Sequence, residues 1–251
     1  MKKITVIGVY GEGSQFTTGQ AVKSIELINW LVQTYSEDNI NIVNTHSWKN
    51  NPFKLLMHLI QSFFISDNIV MLPAQNGIKV FAPLVYIINL FFHRSIHYVV
   101  VGGWLPRMLE ENSILKRIVK SFDGIYVELL SMAYQLKENG LIQSRYLPNV
   151  RNYSDNIIQR KRENVCIYSR IIETKGINDA IEIVKIFNNH TGSTIKLDIY
   201  GMIGPEFESE FNNLLRTNSN FVHYKGVKGP NEGVETVPNY KVLLFPTYYD
   251  G

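Results

Sequence analysis

Short apolar runs rich in Val, Ile and Tyr alternate with longer stretches of helical period along almost the whole chain. That alternation is the pattern of parallel strands joined by crossover helices. In the first part, ITVIGVY (4–10), INIVNT (40–45), NIVMLP (68–73), IHYVVVG (96–102) and GIYVEL (124–129), with a weaker RYLP (145–148), predict strands. Between them AVKSIELINWLVQTY, PFKLLMHLIQSFF, VFAPLVYIINLFF (80–92), MLEENSILKRIVKSF and SMAYQLKENG predict helices. Five or six such alternations make a complete doubly wound sheet. The polar stretch PNVRNYSDNIIQRKREN (148–164) has a charge cluster from Arg160 to Glu163 and no sustained period, and reads as a linker. The alternation then resumes with strands VCIYS, TIKLDIYG (194–201), NFVHYKG (220–226) and KVLLFP (241–246), and helices INDAIEIVKIFNNH and PEFESEFNNLL between them.

The predicted fold class is α/β, with two doubly wound parallel-sheet domains: residues 1–150, a linker at 151–164, and 165–251. Parallel sheets are normally covered on both faces. No helix follows KVLLFP, so the second domain is expected to be small or incomplete.

Composition narrows the picture without deciding it. Hydrophobic residues make up 45% of the 251 positions and charged residues 19%, enough apolar material for real cores. The net charge of +3 is too mild to point to nucleic acid. Its excess lies in residues 1–150, where a solvated surface is the simpler reading and contact with an anionic membrane the alternative. Cys166, the single cysteine, falls in a predicted buried strand and has no partner for an internal disulfide, in keeping with a cytoplasmic location, with peripheral contact to the inner membrane face as a further expectation. The N-terminal run passes at once into glycines, unlike a signal peptide, and VFAPLVYIINLFF is shorter than the roughly 20 residues of a membrane span, so it reads as a buried helix.

Two loops carry candidate chemistry. YGEGSQFTTGQ (10–20) follows the first strand and opens a helix, where backbone N–H groups suit an anion. It departs from the dinucleotide fingerprint, because Phe16 holds the third glycine position and the second strand ends without an acid, and no Gly-Lys-Ser/Thr makes it a P-loop. A turn in which glycines merely permit positive φ explains it equally well. The second loop, SRIIETKG (169–176), lies where a strand gives way to a helix. In open α/β sheets ligands gather beyond the carboxyl ends of strands. There Arg170 and Lys175 would suit a diphosphate, Arg as a planar fork and Lys as a mobile charge. From spacing alone, a solvated loop with two ordinary basic residues is the simpler account. His93 and His97 stand four apart without a neighbouring carboxylate, and no D-x-D is present, so no metal site is expected.

Taken in order, these parts resemble the family 4 glycosyltransferases of bacterial cell-surface polysaccharide synthesis, which have the two-domain GT-B fold. The resemblance lies in TTGQAVKS (17–24), VVVGGWLP (99–106), Leu-Pro-Asn at 147–149, SRIIETKG, DIYGMIGP and LLFPTYYDG. It implies a nucleotide-diphosphate sugar as donor, no separate cofactor, and a glycan or lipid-linked acceptor. It also implies retention of anomeric configuration, while the lack of paired aspartates and the presence of the basic pair lead us to expect a metal-independent donor site. By resemblance, Arg170 and Lys175 grip the diphosphate and act catalytically, Gly201 lets the nucleotide approach, and Lys225, Gly226 and Val227 lie near the base. On the acceptor side, Gly19 borders the reaction centre and Trp104 the acceptor groove.

Two departures follow. The family's His after the fourth strand is replaced by VVVGGWLP, so no general base is assigned. Its two glutamates eight positions apart would follow LLFPTYYDG, leaving only Asp250 as a variant of the first. The reading is therefore a truncated transferase, with self-association through an uncovered C-terminal sheet. The rivals are a non-catalytic remnant or binding module and a GT-B sugar-nucleotide epimerase.

Overall fold

The computed structural model describes residues 3–11, 18–149 and 162–248. Positions 12–17 of the glycine-rich loop, most of the linker and Asp250 lie outside the described residues. The chain divides into two compact units, Met1–Arg151 and Asn152–Asp250.

The first unit holds a six-stranded parallel sheet ordered β2-β1-β3-β4-β5-β6, with β1 Ile4–Gly8, β2 Ile40–Asn44, β3 Asn68–Met71, β4 Ser95–Val99, β5 Gly124–Val127 and β6 Ser144–Tyr146. The central strands are apolar on both sides because helices cover both faces: in β1, Thr5, Val6, Ile7 and Gly8 are all buried. One face is covered by helices α2 Pro52–Ile65, α3 Gln75–Phe92, α4 Leu105–Glu111, α5 Ser113–Lys120 and α6 Leu130–Glu138, whose residues join the larger core around Phe63, Phe81 and Tyr98. Helix α1 Gly19–Tyr35 packs Ile28 and Leu31 with Val6, Leu72 and Val99 in a separate core.

Side-chain caps fix where several helices begin. Thr18 accepts the Ala21 N–H (3.3 Å), Asn51 that of Lys54 (3.1 Å) and Asn112 that of Leu115 (2.9 Å). The last of these divides the expected single helix over MLEENSILKRIVKSF into α4 and α5. A second correction concerns VFAPLVYIINLFF. It belongs to α3, but only five of that helix's eighteen residues (Ile78, Phe81, Ala82, Val85, Ile88) are buried, so the helix is half-exposed rather than buried.

In the second unit, β7 Val165–Tyr168, β8 Leu197–Tyr200, β9 Val222–Tyr224 and β10 Val242–Leu243 form a parallel sheet ordered β10-β7-β8-β9. Helices α7 Ile177–Thr191 and α8 Glu208–Thr217 pack Ile181, Val184 and Phe211 against Val165, Ile167, Leu197 and Ile199. The Pro- and Gly-rich connection after β9 contains a further helix, α9 Pro230–Thr236. Strand β10 pairs with β7 over two residues only, Val242 opposite Val165 and Leu243 opposite Cys166, and Val242, Leu243 and Phe245 are exposed.

Candidate functional site

Strand order reverses at β7 in the second sheet, since the chain continues from β7 to β8 and β9 on one side while β10 lies on the other. Such a reversal opens the crevice in which α/β sheets bind ligands. SRIIETKG emerges from β7 at this point. Its residues Glu173–Lys175 form a 3₁₀ turn, and Gly176, at φ 65°, turns the chain into α7, which begins at Ile177 as INDAIEIVKIFNNH predicts.

Main-chain bonds knit the loops at this edge together. Ser169 N–H donates to Tyr200 O (3.1 Å), Ile171 N–H to Met202 O (2.9 Å) and Gly201 N–H to Gly226 O (3.0 Å). Arg170, Gly201 and Gly226 are thereby held on adjoining loops. On the β10 side, Tyr248 N–H and the Thr247 hydroxyl both donate to Thr174 O, at 3.0 and 3.2 Å. The Tyr248 hydroxyl bonds to Asp179 in the first turn of α7. Lys175 Nζ lies 5.5 Å from the centre of the Phe245 ring, within cation–π range.

Two glycines here are required by the chain itself. A Cβ at Gly176 would lie 2.0 Å from Pro246 O, and one at Gly201 (φ 144°) would lie 1.8 Å from Ser169 O. The close approach at 201 is thus made by backbone, a reason for glycine that SRIIETKG and DIYG do not reveal separately.

The charges differ in their surroundings. Among the described residues, neither the exposed Arg170 guanidinium nor the half-buried Lys175 ammonium has an acidic partner within ion-pair distance. Lys225, by contrast, faces Asp198 at 3.8 Å, so its charge is shared with a carboxylate that also accepts from Tyr240 (2.6 Å) and stands 3.3 Å from His223 Nδ1. Val227, two positions on, is exposed. Burial, and secondarily Asp198, pushes the Cys166 thiol up to about 12, which leaves it protonated and unreactive at neutral pH.

In the first unit the order reverses between β1 and β3. A pocket of about 260 Å³ opens there, lined by Val9, Gln20, Thr45, Trp48, Pro73 and Gln75 among others. Gln20 Nε2 donates to Leu72 O (2.8 Å), fixing the start of α1 against the end of β3. Gly19 is exposed, with open space where its Cβ would be. Trp104 precedes α4, half-buried against the core, with its indole N–H spent on Val101 O (2.7 Å).

One pair escaped the sequence reading altogether. Lys23 Nζ contacts Glu128 Oε1 at 2.7 Å and Val100 O at 3.1 Å, joining α1 to the ends of β4 and β5. Desolvation lowers the Lys23 pKa, against the opposing pull of Glu128. Lys23 lies inside TTGQAVKS, but nothing in the spacing links it to a glutamate so far downstream.

With both edges described, solved structures provide the comparison. A glycosyltransferase from Rickettsia africae matches with a TM-score of 0.63 at 12% identity, covering 98% of this chain and 73% of its own. The two units have the GT-B fold. The lipopolysaccharide outer core galactosyltransferase WaaB matches at 0.57 and 15%, over 98% of this chain and 74% of its own. TarM of S. aureus gives 0.59 and 16% over 78% of this chain, which spans only 41% of TarM's length. At such identities the likeness is one of fold. No protein-family model matches the sequence, and no curated protein matches it.

Proposed function

We propose that this chain is a glycosyltransferase that moves a sugar from a nucleotide-diphosphate sugar to a glycan or lipid-linked acceptor in cell-surface polysaccharide synthesis, with retention of configuration. One observation carries the proposal: two cations, Arg170 and Lys175, that have no acidic partner within ion-pair distance among the described residues, at the strand-order reversal of the second sheet. A departing diphosphate gathers negative charge as the sugar–phosphate bond breaks, and cations held in place before the reaction stabilise that charge. The fold agrees with this reading, and two of the solved structures that share it, TarM and the pneumococcal O-GlcNAc transferase GtfA, were obtained in complex with UDP.

In this reading the first unit serves the acceptor, with Gly19 and Trp104 at its edge. The phosphates are neutralised by Arg170 and Lys175 in place of a metal ion, so binding of the nucleotide should survive chelation. The test is calorimetry with UDP and UMP. Arg170→Ala and Lys175→Ala should each weaken UDP binding by about 1.5–3 kcal/mol, the range for hydrogen bonds to charged groups, and weaken UMP binding less. Unchanged UDP affinity in both variants would falsify the assignment, and strict dependence on added Mn²⁺ would reveal a metal site in place of the cation pair. Release of UDP from a UDP-sugar only when an acceptor is present would separate transfer from simple binding.

A further inference from the structure

The two faces of the second sheet differ in chemistry. Successive side chains of a strand point to opposite faces, and from VCIY and LDIY the residues Val165, Ile167, Leu197 and Ile199 join the core formed with α7 and α8. The opposite face carries Cys166, Tyr168, Asp198 and Tyr200. There three tyrosines form a ladder that begins at a carboxylate. The Tyr240 hydroxyl donates to Asp198 Oδ2 (2.6 Å) and lies 2.7 Å from the Tyr200 hydroxyl, and the Tyr200 and Tyr168 ring centres are 5.9 Å apart. The ladder ends on a loop, where the Tyr168 hydroxyl donates to Gly229 O (2.9 Å) and stands 3.3 Å from Lys228 O. Burial raises the Tyr168 pKa, which keeps the phenol a donor at neutral pH. Helix α9 lies against the same ring, since a Cβ at Gly233 would be 3.0 Å from Tyr168 Cζ. Glycine weakens a helix interior, and the ring explains why position 233 has one.

The tethered segment, 225–229, leaves the carboxyl end of β9 beside the loop that follows β8. Lys225 N–H donates to Ile199 O (2.9 Å), and Gly226 O accepts the Gly201 N–H (3.0 Å). None of the bonds that hold the segment uses the N–H of Gly226 or Val227, and the Val227 side chain is exposed. A nucleotide whose phosphates meet Arg170 and Lys175 finds the β10 side closed by Phe245 and by the Thr247 and Tyr248 bonds to Thr174 O. Its nucleoside therefore extends toward 225–229, where main-chain donors and an apolar side chain suit a base. We propose that Tyr168 is a positioning residue for nucleoside recognition: its hydroxyl holds 225–229 in the binding conformation before the ligand arrives, which spares the cost of ordering the loop on binding. The proposal rests on the phosphate site of the transferase reading and adds to it the device that separates a nucleotide from a bare diphosphate.

Calorimetry on the full chain tests it, with pyrophosphate and whichever of UDP, ADP and GDP binds most tightly. Tyr168→Phe keeps the ring against Tyr200 and Gly233 and removes only the tether. It should weaken the nucleotide about fivefold and leave pyrophosphate unchanged. Tyr200→Phe, whose lost hydroxyl reaches Tyr240 and not the loop, should leave both ligands unchanged. Should Tyr168→Phe lose stability, the ratio of the two affinities still reads the tether, because pyrophosphate reports on the phosphate site of the same sample. Four results overturn the inference: nucleotide affinity in Tyr168→Phe equal to that of the unaltered chain, an equal loss in Tyr168→Phe and Tyr200→Phe, equal weakening of nucleotide and pyrophosphate, or an unaltered chain that binds no nucleotide more tightly than pyrophosphate. Each of these leaves the phosphate site standing. A chain that binds neither ligand removes that site, and the inference with it.

Discussion

At residue scale, the glycines give the sharpest contrast. Gly201→Ala places a Cβ 1.8 Å from Ser169 O at a φ of 144° and should destabilise the second unit by about 2 kcal/mol or more. Gly19→Ala meets nothing within 4 Å at the start of α1 and should be neutral or stabilise by about 0.5–1 kcal/mol. Thermal unfolding measures both. If Gly19→Ala keeps its stability yet loses transfer activity, the acceptor role given to that position gains direct support. His97 supplies a pH dependence. Its pKa is lowered chiefly by desolvation and further by Arg145, against a raising effect of Asp123. The folded state therefore holds this proton less tightly than the unfolded chain does. Its contribution to stability is full above the ordinary value of 6.5 and is lost as pH falls from there through the folded pKa. Denaturant unfolding across that interval should show a loss of stability on acidification that His97→Gln reduces.

At the scale of elements, the central strands were legible because strands covered on both faces read as near-continuous apolar runs, as ITVIGVY and VCIYS do. Strand β10 is shorter than KVLLFP suggests, since its ladder to β7 spans only Val242 and Leu243. Helix α9 lay hidden in PNEGVET because Pro and Gly read as turn residues. Its signal was the combination of Pro230 at the first helical position with Glu232, whose carboxylate accepts the Gly229 N–H at 2.6 Å. The α4–α5 break was equally available in Asn112, but an Asn inside an apolar-periodic run is read as a cap only once its bond to Leu115 is seen. Asn112→Ala should cost about 1 kcal/mol by urea titration. Periodicity located α3, yet a helix apolar on two sides gives no indication of which side meets the core. The candidate site was legible in part. Arg170 and Lys175 were found from the strand-to-helix junction, whereas Phe245 beside Lys175 and Glu128 beside Lys23 join the picture only through the sheet order.

At the scale of the whole molecule, each unit has its own sheet and its own core, so a ligand of one unit should act locally. UDP at a hundredfold excess over its Kd stabilises the state that binds it by about 2.7 kcal/mol. Hydrogen exchange should report that gain in the segments around 169–176, 201–204 and 244–248, with the first sheet unchanged; protection spread over both units would place the nucleotide elsewhere. The pairing of β10 with β7 also has a kinetic consequence. Val165 finds Val242 only after the intervening strands and helices have been traversed, and contacts of large sequence separation carry a high loop-closure cost and tend to slow folding. The crevice that holds Arg170 and Lys175 is closed on one side by residues around Phe245 and Pro246. Competence to bind a nucleotide should therefore arrive in refolding after the native signal of β7, β8 and β9, so that ligand capture serves as a clock for the slowest step of the second unit.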